Sequence, residues 1–161
     1  ALLPADSYIR DTATFARQLR LGLTRASHTT ALLTFAIKPT HASTAFGYLK
    51  LGSAVPEGEG FRRVEKFVEK PDRVTAESYV ADGYLWNSGN FLFPPEVLLS
   101  EMARFEPEMA AAAEEAVAKA RKTGSTVFLD AEAFAKAPAK SIDRLIEQRK
   151  GGRAASQKLT A

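Results

Sequence analysis

The sequence predicts an α/β domain built on a mixed sheet, and three observations carry that reading. The run TALLTFAIKP (residues 30–39) is almost continuously apolar and rich in β-formers, as in a strand covered on both faces. The segments GYLKLG (47–52) and FRRVEKFVEK (61–70) instead alternate apolar and polar residues, the period of a half-buried antiparallel pair. Helical periodicity recurs between and after these strands.

The elements follow in order. Leu2 and Leu3 read as the tail of a buried strand. Asp11 is placed to cap a helix over 12–25, whose apolar side holds Phe15, Leu19, Leu21 and Leu23. The run at 30–39 then makes a second strand, closed by Pro39. Strand, helix and buried strand together predict a right-handed βαβ unit. The alternating pair is joined by SAVPEGEG (53–60), a tract of turn-forming residues. DRVTAESYVADG (72–83) is a helix with Gly83 at its end, and YLWNSGNFLF (84–93) a strand interrupted at Asn87-Ser88-Gly89. Pro95 opens the helix PEVLLSEMARF, where proline is tolerated in the first turn. An alanine-rich helix runs from Pro107 to Gly124, followed by a short helical segment at 130–138 and a further helix in KSIDRLIEQRK (140–150). The end, GGRAASQKLTA, lacks apolar periodicity and reads as a frayed tail. The expected organisation is one domain over 1–149 and a flexible tail over 150–161.

Composition narrows the function classes. The chain has 161 residues, 45% of them hydrophobic, enough for one domain with a real core. A net charge of +3, with no basic stripe carrying interleaved aromatics, gives no nucleic-acid signal. No apolar run reaches membrane-spanning length. The absence of cysteine fits a reducing cytoplasm, and two isolated histidines offer no His/Cys zinc site.

Four stretches that follow strand-like runs could carry chemistry, since ligands in open α/β sheets bind at the carboxyl ends of strands. Asp6 in LLPADS can hold a hard cation such as Mg²⁺, or cap a turn. Gly47 can admit a ligand to the backbone, or relieve a turn. In FVEKPD, Lys70 can meet a phosphate and Glu69 can accept from hydroxyls, or both can be solvated surface charges. Asn87 offers a donor and an acceptor to a sugar diol, or belongs to a β-bulge with Ser88 and Gly89. Trp86 and Phe91 read as core.

The order LPAD, GYL, FVEKPD, YLWNSGNFLF and SID resembles the mannose-1-phosphate guanylyltransferases of the sugar-nucleotidyltransferase superfamily. Those enzymes read LPADH, TGYGYI, FVEKP, YLWNSGMF and SIDYAVMEK in the same order at similar spacing. The resemblance spans residues 2–149. It implies a Rossmann-like mixed sheet of the nucleotide-sugar transferase type and a reaction that makes GDP-mannose from GTP and mannose 1-phosphate, releasing pyrophosphate. It implies Mg²⁺, with Asp6 as its ligand. It gives Lys70 to the sugar phosphate, Glu69 to sugar hydroxyls, Asn87 to the sugar pocket and Gly47 to the loop over the sugar.

The departures shape a further expectation. Ser7 replaces a histidine, Ala45-Phe46 replaces Gly-Tyr, and Gln148 and Arg149 stand for an acid and a lysine. No counterpart of the family's GGxGxRLWP loop precedes Ala1, and no WSDVGSW-like stretch follows SID. The sequence therefore reads as the sugar-phosphate-binding part of such an enzyme, its sheet incomplete at the N-terminal side, truncated or inactive alone. The alternative is a non-catalytic sugar-phosphate-binding module or structural subunit. An open sheet edge predicts a homo-oligomer.

Overall fold

The computed structural model describes residues 1–56, 60–148 and 155–158. Helix α1 (Thr12–Ala26) starts where Asp11 accepts the Thr14 N–H at 2.9 Å. Strand β1 (Leu33–Ile37) is buried over its first four residues, as its apolarity requires. β2 (Tyr48–Ala54) and β3 (Phe61–Val68) form the expected antiparallel pair, with Tyr48 opposite Val68. Asp72 caps α2 (Arg73–Ala81) through the Thr75 N–H at 2.8 Å. β4 (Leu85–Leu92) follows, then α3 (Pro95–Phe105) and α4 (Pro107–Ala118), each opened by a proline. β5 (Arg121–Thr123) and β6 (Thr126–Phe128) make a two-stranded hairpin. α5 (Ala131–Ala135), α6 (Ile142–Gln148) and β7 (Ala155–Lys158) complete the order.

The main sheet is a closed barrel in the order β1-β4-β2-β3-β7. β1 runs antiparallel to β4 and parallel to β7, which pairs antiparallel with β3 on its other side. The sheet is thus mixed, as predicted, but the βαβ unit at the start is not formed. Leu2 makes one antiparallel bridge to Phe91 of β4 instead of pairing with β1, and Leu2 and Leu3 are exposed. A single bridged pair cannot extend a strand across the sheet. The edge expected to stand open is taken by β7, so part of the expected tail is a strand. Residues 150–154 and 159–161 of that tail, Glu57 to Glu59 of the turn tract, and Arg149 lie outside the described residues.

The alanine-rich helix ends at Ala118 rather than at Gly124, because Gly124 (φ +58°) turns the β5–β6 hairpin. The core sits where α1 meets β1 and β4: Phe15 and Leu19 pack on Leu33, Phe35, Phe61 and Leu92. Each such fully buried side chain contributes roughly 1.5–3 kcal/mol. A second cluster, Tyr48, Ala76, Tyr79 and Tyr84, fixes α2 against β2. Between these clusters, the starts of β2 and β4 and the end of β3 come to one corner. No helix among the described residues is long and apolar enough to cross a membrane.

Candidate functional site

β3 ends at Val68, and the chain bends at Glu69 and Lys70 before the buried Pro71. Lys70 is the one non-glycine among the described residues with positive φ (+48°), and its N–H donates to the Phe46 carbonyl at 3.3 Å. That bond ties the bend to the loop before β2. On the other side of β2, the Asn87 N–H donates to the Gly47 carbonyl at 2.8 Å. Because β2 lies between β3 and β4, Gly47 lies between Glu69 and Asn87. A Cβ at Gly47 would stand 2.6 Å from Glu69 Oε2, 3.2 Å from Phe67 Cζ and 3.4 Å from Asn87 Cβ. Four predicted site residues therefore share one corner, and a side chain at 47 would have to displace the Glu69 carboxylate.

Asn87 is buried and fully engaged on its oxygen side. The Thr34 hydroxyl of β1 donates to Asn87 Oδ1 at 2.7 Å, and Asn87 Nδ2 donates to Asp143 Oδ1 at 2.8 Å. The Gly89 N–H also points at Asn87 Oδ1, at 3.4 Å. One Nδ2 proton is left for a ligand, so Asn87 does not offer a free donor and acceptor together. The bulge reading of this segment holds as well. The pairing of β1 with β4 slips between Thr34 and Ala36, and Gly89 has φ +72°. Phe91 is core as expected; Trp86 is half-buried, its ring 4.8 Å from Phe46 and 5.1 Å from His41.

The structure adds two functional candidates that the sequence reading does not single out. Asp143 and Glu147 stand one turn apart on α6, so both reach the corner. Asp143 holds the Asn87 amide, and Glu147 Oε1 accepts the Glu69 N–H at 3.3 Å. The available signal is their i,i+4 spacing opposite Ile142 and Leu145, on the helix that starts at the SID stretch. Glu147 also pairs with Arg144 at 3.3 Å.

The electrostatics follow from this packing. Burial pushes the Glu69 carboxyl above the ordinary carboxylate range, and the Asp143 carboxylate adds to it. Lys70 and Arg144 pull in the opposite direction, and Glu147 adds a smaller upward push. The Lys70 ammonium lies 3.8 Å from Glu69 Oε1, yet its side chain is 60% exposed against 9% for Glu69. The corner thus presents recessed acceptors beside a cation that reaches into solvent. Such an arrangement suits a ligand with hydroxyls at one end and an anion at the other.

Asp6 lies on an exposed turn outside this contact set. Pro4, two residues before Asp6, has its Cγ 3.6 Å from where a Gly89 Cβ would be, so the segment passes beside β4. Asp6 makes no hydrogen bond or ion pair among the described residues, which leaves its oxygens open to a hard cation. No group of three His, Cys, Asp or Glu side chains among those residues forms a metal cage. An ion here would take one protein carboxylate and complete its shell from phosphate oxygens and water, as Mg²⁺ does.

Comparison with known proteins adds context. The sequence profile described as Nucleotidyl transferase matches residues 1–133. The Xanthan biosynthesis protein XanB of Xanthomonas campestris pv. campestris (strain B100) is 40% identical over 149 residues, covering 92% of this chain and 31% of that protein. A mannose-1-phosphate guanylyltransferase of Escherichia coli is 32% identical over 151 residues, covering 92% and 32%. The chain spans about a third of the length of these curated relatives. Among solved structures, a mannose-1-phosphate geranyltransferase, so titled, from Thermus thermophilus superposes with a TM-score of 0.80 at 29% identity, over 97% of this chain and 43% of that one.

Proposed function

Because the chain belongs to the nucleotidyl transferase family, we propose that its corner binds mannose 1-phosphate for guanylyl transfer from GTP. The observation that carries this is the convergence of Gly47, Glu69, Lys70 and Asn87 at one end of three adjacent strands. The names of the relatives support the choice of sugar and nucleotide.

In this reading Lys70 meets the sugar phosphate, and Glu69 and Asp143 accept from sugar hydroxyls. The remaining Nδ2 proton of Asn87 adds one donor. Gly47, having no side chain, leaves room for the Glu69 carboxylate to lie across the corner where it can meet the sugar. The phosphate oxygen of mannose 1-phosphate then forms a bond to the α-phosphorus of GTP as the bond to the β-phosphate oxygen breaks, giving GDP-mannose and pyrophosphate. The residues act by holding the nucleophile in line and balancing its charge. Asp6 would hold Mg²⁺, which supplies charge neutralisation at the phosphates when bound. The setting is cytoplasmic, where cysteine-free chains need no disulfides.

Calorimetry with mannose 1-phosphate, mannose and inorganic phosphate tests the reading. Binding of mannose 1-phosphate that exceeds either half, and that depends on Lys70, is expected. Equal weak binding of all three ligands would return Glu69 and Lys70 to ordinary surface charges.

A further inference from the structure

Helix α6, which brings Asp143 and Glu147 to the corner, has seven residues and no stability of its own. Its far side is only partly packed. Ile142 lies on the Leu32 and Phe91 core and Leu145 is buried, but both also line an open pocket of about 220 Å³ shared with Leu2, Leu98, Met102 and Met109. What grips the two ends of the helix is polar. Glu106, at the joint of α3 and α4, is only 7% exposed. Its Oε2 accepts from Lys140 Nζ at 2.6 Å, and its Oε1 accepts from Gln148 Nε2 at 2.9 Å. Lys140 lies just before the first turn of α6 and Gln148 is its last residue. One carboxylate therefore grips the helix at both ends.

We propose that Glu106 is a positioning residue for the sugar-phosphate corner. By clamping α6 across the cavity it sets where Asp143 meets Asn87 and where Glu147 meets the backbone of Glu69. Close packing along the whole helix would resist small displacements by itself, but the pocket beside Ile142 and Leu145 leaves room for them, so the grip at the two ends adds to what sets the position of α6. Lys140 and Gln148 hold the Glu106 carboxyl below its ordinary range, so the clamp is charged throughout the neutral range. The consequence for sugar-phosphate binding rests on the function proposed above; the consequence for Glu69 does not.

The test uses Glu106→Gln, and the exchange Glu106→Lys with Lys140→Glu that reverses the pair. The first readout needs no ligand: titration of the Glu69 carboxyl by carbon-13 NMR. The groups facing Glu69 are Asp143, Glu147 and Arg144 of α6 and the adjacent Lys70. Releasing α6 in Glu106→Gln should bring the Glu69 midpoint down toward the ordinary range, and the exchange should restore it. The second readout is calorimetry, where mannose 1-phosphate should bind about tenfold more weakly in Glu106→Gln and recover in the exchange. A folded Glu106→Gln with an unchanged Glu69 midpoint would overturn the proposal, even if its melting temperature fell. Should Glu106→Gln not fold, Gln148→Met, which releases only the far end, takes its place: a lowered Glu69 midpoint supports the clamp and an unchanged one overturns it. If the unaltered chain does not bind mannose 1-phosphate, the functional reading fails while the Glu69 titration still decides this one.

Discussion

Lys70 pays for its place in conformation. At φ +48° its backbone sits in the left-handed region, which costs an L-residue on the order of 1 kcal/mol relative to glycine. The backbone bond to Phe46 fixes that bend, and the bend turns the ammonium outward. Stability alone would favour glycine here. Two substitutions separate the effects. Lys70→Ala and Lys70→Gly should both weaken mannose 1-phosphate about tenfold to hundredfold, the loss of a charge-assisted contact of roughly 1.5–3 kcal/mol. In urea unfolding, however, Lys70→Gly should be the more stable of the two by about 1 kcal/mol, the reverse of the order at ordinary positions. Equal stabilities would show that the bend is unstrained. Gly47 poses the opposite problem. The sequence alone offers a turn or a ligand contact as its reason, whereas the structure gives a third, the 2.6 Å approach of Glu69 Oε2. Gly47→Ala should cost about 1–3 kcal/mol by overpacking, measured in the same unfolding series. A wild-type midpoint would mean that Glu69 swings aside freely.

At the scale of elements, two carboxylates titrate with opposite signs. Glu69 is pressed between the end of β3 and the acidic face of α6, and its pKa is raised. A raised carboxyl binds its proton more tightly folded than unfolded. Its contribution is therefore complete below the unfolded pKa and is lost as pH rises through the folded one. Glu69→Gln should accordingly raise the melting temperature at pH 7 and leave it nearly unchanged at pH 4. Glu115 is the converse. Lys119, just past the end of α4, and Lys136, just past α5, hold its carboxyl down to about 2. Its contribution is present above the unfolded pKa and fades as pH falls toward 2, and added salt should screen it because the pair is solvent-facing. Glu115→Gln should lower the melting temperature at pH 7 but not at pH 2. Melting curves of both variants across this range check the signs, and a Glu69→Gln variant that melts lower at pH 7 would refute the burial argument. The same elements show what the sequence could reveal. Caps at Asp11 and Asp72 and the alternation of β2 and β3 are local signals, and the corresponding elements form as predicted. The hairpin of β5 and β6 is hidden because alanine and lysine continue the helical propensity through residue 122, while the turn at Gly124 depends on one φ angle. Asp143 and Glu147 are visible only as charges on a helix, since their partners lie 56 and 78 residues away.

For the whole molecule, the decisive element is the one with the weakest sequence signal. Ala155–Lys158 has no apolar period, yet it pairs with β1 on one side and β3 on the other and closes the barrel. Pairing of this kind draws on backbone groups, which no hydrophobic pattern announces. The expectation of association through an open edge therefore loses its footing in the closed sheet. The closure also makes a prediction about length. A chain ending at residue 148 would bare the edges of β1 and β3, and β1 (LTFAI) is apolar, rich in β-formers and free of charge. Such an edge recruits other chains. Light scattering should show a mass that rises with concentration for the shorter chain beyond anything seen for the 161-residue chain. Its melt should also be broader and earlier. Val117, Val127, Phe128, Leu129 and Phe134 are exposed apolar residues away from this edge, and all lie within residues 1–148. Association through those residues would be common to both lengths, so the difference between them isolates the edge. Identical masses and identical melts for the two chains would show that β7 contributes nothing to holding the barrel closed.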